Sequence, residues 1–272
     1  YSSLRQNFSE SDFNHSLLTA LSAILTKINL MSTITEQTLA GIVSNNHQTV
    51  PVLEKYHLDF CCKGKRTLAQ ACAEKGLPVE AIAEELEKRM NAEQGRSLPF
   101  ASMTAEQLIS YILIHHHFYV KQSIPAILSH LEKVAAKHGD RFPFMVEVLY
   151  LFREVGEEMT MHMHKEEVIL FPRIKEVETL FSIHQKRNLT EGYISGPVQV
   201  METEHDHAGE LLYRIRELTN SYTPPADACT TFKVSMAELK EFEEDLHKHV
   251  HLENNLLFPM AEKMLQEQLS LN

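Results

Sequence analysis

The segment His162-Met-His-Lys-Glu166-Glu-Val-Ile-Leu-Phe-Pro172 recurs as His249-Val-His-Leu-Glu253-Asn-Asn-Leu-Leu-Phe-Pro259, so both copies read H-x-H-x-E-x-x-x-L-F-P. On a helix, residues four apart lie about 40° apart around the axis, which sets His162 beside Glu166 and His249 beside Glu253. The middle histidines, His164 and His251, fall about 200° round the helix from the first and are not expected to share a site with it. Two His/Glu pairs on two helices point to a dinuclear metal centre.

The chain of 272 residues is long enough for one large or two modest domains. With only 9 glycines against 43% hydrophobic residues and little strand-like alternation, an all-α protein is expected. Residues 1–30 read as an N-terminal extension with a helical stripe of Leu17, Leu21, Ile24, Leu25 and Ile28. Residues 31–90 read as a small helical domain, with Ile82, Leu86 and Met90 along one helix and a loop, Asp59-Phe-Cys-Cys-Lys-Gly-Lys-Arg66, breaking the pattern. A polar linker spans 91–103. Thr104 and Gln107 then form a capping-box signature that opens a region, 104–268, of four long helical patterns. These run over about 105–137, with Pro125 expected to kink the helix, then 143–177, 197–219 and 227–268. Helices of this number and length are the parts of a four-helix bundle.

Each pattern has an apolar seam against which candidate ligands can be tested. Val148, Leu151, Val155, Met159, His162, Glu166 and Ile169 step by three or four along the second helix. Leu239, Phe242, Leu246, His249, Glu253, Leu256 and Met260 do so along the fourth. The third seam is Val198, Met201, His205, Ala208, Leu212 and Ile215. On the first, Ile109, Leu113, His117, Val120, Ile124, Ile127 and Leu131 select His117 from the run His115-His116-His117. A lone buried histidine is more often a hydrogen-bonded core residue, and surface His/Glu pairs are common helix-stabilising contacts. Four inward histidines with two inward glutamates are different, because burying two carboxylates without cations costs several kcal/mol each and the seams offer no Lys or Arg at that level. The predicted metal set is therefore His117, His162, Glu166, His205, His249 and Glu253. His115, His130, His138, His184 and His247 are expected to be solvated, with His116 and His207 as weaker candidates for a place behind the ligands.

Imidazole and carboxylate donors inside a bundle suit iron or manganese. The economical arrangement has two histidines on each of two non-haem iron ions, Glu166 and Glu253 bridging, and an oxo or hydroxo group completing the pair. Which histidines share an ion is not readable from the sequence. The formal net charge of −11 argues against a nucleic-acid or anionic-membrane partner. No apolar run approaches the roughly 20 residues that span a bilayer, and no signal peptide is legible. Four cysteines in this length are no disulfide framework, and a cytoplasmic location is expected. Cys61 and Cys62 form a candidate thiol site, since Lys63, Lys65 and Arg66 would favour a thiolate able to bind iron, exchange disulfides or take up NO. Cys72 and Cys229 read as ordinary small apolar residues.

The four helices resemble a hemerythrin-like domain, with two departures from the oxygen carriers. Those have a further histidine four residues after the one in helix three, where Gly209 stands here, and they end in HxxxxD rather than His249-x-x-x-Glu253. A fuller resemblance is to the ScdA/YtfE-type iron–sulfur cluster repair family. It rests on the two H-x-H-x-E segments, on Met201-Glu-Thr-Glu-His-Asp-His-Ala-Gly-Glu210, on Thr223-Pro-Pro-Ala-Asp-Ala-Cys-Thr-Thr231, and on Tyr56-His-Leu-Asp-Phe-Cys-Cys-Lys-Gly-Lys-Arg-Thr-Leu68. It covers roughly 31–268, and Met31 falls where such proteins usually begin. Lys63 stands where the family commonly has glycine. The family's ligands fall on the same six residues that the seams select. The resemblance implies repair of clusters damaged by nitrosative or oxidative stress, with iron supplied from a labile di-iron centre to transiently bound iron–sulfur proteins. Two other functions are weighed with it: NO reduction at the di-iron pair, and an O2- or NO-sensing binding protein. A donor or repair protein is favoured over an enzyme, and a homodimer is allowed for.

Overall fold

The computed structural model describes residues 34–92, 100–185 and 187–270. The extension 1–30 and most of the expected linker lie outside these. Among the described residues, 34–58 with 65–92 form one compact unit, and 59–64 with those from 100 onward form another.

The first unit is mainly helical, with one isolated bridge between Thr38 and Thr67. Helices α1 (Leu39–Asn45), α2 (Val50–Lys55), α3 (Leu68–Lys75) and α4 (Val79–Ala92) follow in order, with residues 56–67 separating α2 from α3. Thr67 and Gln70 close a capping box on α3, and Gly76, at φ 64°, ends it in the left-handed conformation that glycine adopts without strain. Leu39, Ile42, Leu53, Leu68, Ile82 and Leu86 fill its core.

The second unit is a bundle of four rods. The first joins α5 (Ala105–Tyr111) to α6 (Phe118–His138), and the second joins α7 (Phe144–Lys165) to α8 (Phe171–Ser182). Helix α9 (Gly192–Leu218) is the third, and α10 (Thr230–Leu252) with α11 (Phe258–Ser270) is the fourth. The expected capping box is present at Thr104 and Gln107, and the Glu178 carboxylate adds acceptors for Ala105 N (2.7 Å) and Glu106 N (2.9 Å). These satisfy donors that a helix start leaves unpaired. The third helix begins earlier than its glycines and proline suggest. Pro197 lies inside it, and the Tyr193 carbonyl that Pro197 cannot serve accepts from Arg173 Nη1 at 3.0 Å.

Three rods contain a π turn: Ile112–His117, Glu166–Leu170 and Glu253–Leu257. Each is closed by a bond five residues long, as from Phe171 N to the Glu166 carbonyl and from Phe258 N to that of Glu253. Pro172 and Pro259 follow one residue later. A proline ring clashes with the carbonyl four residues back in an α-helix, and the wider turn relieves that crowding. The extra residue also moves the buried stripe by one. Leu170 and Leu257 are buried where the even period assigns Ile169 and Leu256, and Ile112 is buried where it assigns Leu113. Ile169 is instead 44% exposed. Phe152 likewise takes the core place expected of Leu151.

At one crossing of the first two rods the packing leaves no room for a side chain. A Cβ on Gly156 would lie 2.9 Å from Cγ2 of Ile124, a β-branched residue with little freedom to move. Gly156→Val is expected to lower stability by about 1–3 kcal/mol, although helix propensity alone favours it. A urea midpoint measured on the metal-free variant checks this, and a raised midpoint would contradict the packing.

Candidate metal centre

The six predicted residues converge inside the bundle, each 1% exposed or less. One set of donors comprises His117, Glu166, His249 and Glu253, and the other His162, Glu166, His205 and Glu253. Within each set the ligand atoms all lie within 4.8 Å of one another, and both sets contain the same two carboxylates. Glu166 Oε2 lies 3.3 Å from Nε2 of His117 and 3.3 Å from Nε2 of His162. Glu253 Oε1 lies 2.9 Å from His249 Nε2, and its Oε2 lies 3.1 Å from His205 Nε2. Each carboxylate therefore faces a histidine of each set. The pairing that the sequence leaves open is thus drawn geometrically: His117 with His249, and His162 with His205.

The donor set fits a metal pair on three counts. First, the Nε2 atoms of His162 and His205 face each other at 3.0 Å, the spacing of adjacent ligands on one ion at bonds of about 2.1 Å. Second, both oxygens of Glu166, Oε2 of Glu253 and Nε2 of His117 are buried without a hydrogen bond. Orphaned buried polar atoms are costly and call for a partner. Third, every ion-pair contact of Glu166 and Glu253 among the described residues is with a histidine, so no Lys or Arg compensates them. Without metal, protons do so. Burial disfavours a charged His162, but the Glu166 and Glu253 carboxylates and a bond to Glu204 outweigh it and push its pKa up to about 10. Burial acts against ionised Glu253 as well, yet His249 and His205 hold it well below the usual carboxylate range.

A further row of residues holds the histidines from behind. His117 Nδ1 pairs with Glu167 Oε1 at 2.8 Å, and Lys121 Nζ donates to the same oxygen at 2.6 Å. His162 Nδ1 pairs with Glu204 Oε2 at 3.0 Å, and Lys165 bonds the other oxygen of that carboxylate. His205 Nδ1 pairs with Asn254 Oδ1 at 2.9 Å. His249 Nδ1 has no hydrogen-bond partner. The ring of His116 instead stacks on His249, with centroids 5.6 Å apart and planes 6° apart, while its Nδ1 engages Asp245 at 3.0 Å. Sequence reading missed Glu167, Glu204 and Asn254. The available signal was that each adjoins a ligand in the chain.

Residues 35–90 match ScdA_N, a domain of unknown function (DUF542), and residues 108–261 match the hemerythrin HHE cation binding domain. The chain is 37% identical over 226 residues to the iron-sulfur cluster repair protein YtfE of Escherichia coli strain K12 and, equally, to that of Shigella boydii serotype 4. Each alignment covers 83% of this chain and 96% of the relative. The chain belongs to the iron–sulfur cluster repair family.

Within this repair-family chain the remaining histidines divide differently from expectation. His251 is buried, its ring edge-on to Phe60 with centroids 5.7 Å apart, and burial pushes its pKa down to about 4. His116 is buried behind His249, whereas His207 is half-exposed and bonds Glu158 at 2.8 Å. His130 and His138 are tied to Glu238 and Cys229 rather than simply solvated.

Asp59, Cys61 and Cys62 bring their side-chain donor atoms within 4.8 Å of one another. The nearby basic residues were expected to favour a thiolate, but Cys61 is buried, with its Sγ 3.8 Å from that of Cys62 and 3.3 Å from Asp59 Oδ1. The Cys62 thiol, burial and the Asp59 carboxylate together hold the Cys61 pKa well above its usual range. Asp59 Oδ1 also accepts the backbone N–H groups of Cys61, Cys62 and Lys63, and Asn255 Nδ2 donates to the Cys61 carbonyl at 3.0 Å. All four cysteines are free. No described helix is long and apolar enough to cross a membrane.

Proposed function

We propose that this repair-family protein restores iron–sulfur clusters damaged by nitrosative or oxidative stress by supplying iron from a pair of ions held in the bundle. The observation that carries this reading is the sharing of two wholly buried carboxylates between two sets of paired histidines. His117 and His249 would hold one ion, His162 and His205 the other, and Glu166 and Glu253 both. Iron held there supplies a redox-active cation for transfer to a damaged cluster. The relatives' shared name, iron-sulfur cluster repair protein, supports the recipient class. Clients would bind transiently, and the cytoplasm is the compartment in which we place the activity.

The chain's own part is to keep the ions exchangeable. Carboxylates and neutral imidazoles are ligands whose protons compete with metal, so the site trades a proton for a cation. Because the metal-free His162 has its pKa raised to about 10, it carries a proton at neutral pH that must leave as metal enters. The His162 proton stabilises the metal-free fold fully below its unfolded value near 6.5, and that contribution is lost as pH rises through about 10. Metal affinity should therefore rise with pH across that window. Anaerobic loading with ferrous iron in weak buffer at pH 7.5 is expected to release at least one proton per chain, read with a pH indicator. Loading without acidification would contradict the proton-for-metal exchange.

The function is tested by anaerobic incubation of the iron-loaded protein with an iron–sulfur enzyme inactivated by NO. Reactivation is expected from the parent and not from a chain carrying Glu166→Leu and Glu253→Leu. Equal reactivation by both would overturn iron supply from this centre.

A further inference from the structure

The two ion positions differ in how their histidines are backed. The pattern is regular up to a point. The chain neighbour of a ligand reaches back to the ligand on another rod: Glu167 beside Glu166 holds His117, Glu204 beside His205 holds His162, and Asn254 beside Glu253 holds His205. His116, beside His117, occupies the corresponding place against His249, but it presents a ring face and spends its Nδ1 on Asp245. His249 is left fully buried with its Nδ1 unpartnered.

A ligating histidine needs a hydrogen bond on its other nitrogen to fix its tautomer and ring orientation and to strengthen it as a donor. At the His162/His205 position both rings have that bond. At the His117/His249 position only one does. When Nε2 of His249 binds metal, the ring proton must sit on Nδ1, where it is buried without an acceptor. The fold thus disfavours metal on His249 relative to His162 and His205, whose Nδ1 atoms have partners.

We propose that the two ions are inequivalent in this way: the ion held by His117 and His249 is the one released, and the ion held by His162 and His205 is retained by the Glu204 and Asn254 contacts. Glu204 and Asn254 are then positioning residues for the retained ion, and Glu167 is one for the released ion. This rests on the two-ion reading above, and it names which ion is the cargo. Loss of an outer hydrogen-bond partner weakens metal binding by about 10–100-fold, so the two ions should leave at rates separated by about that factor.

The test uses the full chain loaded with ferrous iron, mixed anaerobically with excess ferrous chelator, with release followed by absorbance. Metal content comes first: fewer than two irons in the bundle overturns the two-ion reading itself. With two present, the parent is expected to release them in two equal phases separated by about 10–100-fold. Asn254→Leu should accelerate only the slow phase, and Glu167→Gln only the fast one. Because a variant can lose structure, the parent stopped after the fast phase supplies an independent measurement. Its crystal structure should show the remaining ion beside His162 and His205. Release in one phase, an Asn254→Leu effect on the fast phase, or a remaining ion beside His249 would each overturn the inference while leaving the two-ion reading intact.

Discussion

A chain carrying both Glu166→Leu and Glu253→Leu is expected to bind no iron in the bundle and, compared metal-free, to be more stable than the parent. The first effect follows because both donor sets share these two carboxylates, so their loss leaves each with only two histidines. The second follows from burial. Both glutamates are 0% exposed, several of their oxygens make no hydrogen bond, and their charges are compensated only by protonated imidazoles. Replacing buried ionic groups by apolar side chains of similar volume is often stabilising, by about 1–4 kcal/mol. Metal analysis reads the first effect, and denaturant unfolding in chelator reads the second. A variant that still holds two irons, or is several kcal/mol less stable, would show that the carboxylates serve the fold rather than the metal.

The second large effect lies in the apolar core of the bundle. Phe242 is fully buried on α10, and its ring meets that of Phe152 on α7 edge to face, with centroids 5.1 Å apart and planes 77° apart. Phe242→Ala removes this contact and leaves a cavity between rods held apart by their other side chains. The expected cost is about 3–5 kcal/mol. For a domain of this size that lowers the thermal midpoint by roughly 10 °C. Metal would mask part of the change by binding only the folded chain, so the comparison belongs in chelator. Tyr213, 51% exposed on α9, is the control: Tyr213→Ala should stay within about 0.5 kcal/mol. Equal losses in the two variants would contradict the assigned core.

The convergence of these six side chains was legible because each falls on an apolar seam, which also selects His117 from the run His115-His116-His117. The same even period fails just beyond the ligands. Ile169, Leu256 and Leu113 were assigned inward, but the π turns shift the stripe to Leu170, Leu257 and Ile112. A period of 3.6 carries no warning of an inserted residue, although the Leu-Phe-Pro ending of both repeats is the chemical cause of two of the three. The outer partners were missed for a related reason. A seam keeps one residue per turn and assigns its neighbours outward, yet Glu167, Glu204 and Asn254 reach the back of a histidine on another rod. Only the packing of the rods reveals that. At Cys61 the Cys62 thiol, burial and Asp59 outweigh the basic residues nearby in sequence, which charge counting alone does not reveal.

The most direct measurement is the metal content of the iron-loaded protein together with the positions of its ions by anomalous scattering from crystals. Two irons per chain are predicted, one beside His117 and His249, the other beside His162 and His205, with Glu166 and Glu253 between them. A single ion, or ions bound away from these six residues, would contradict the assignment.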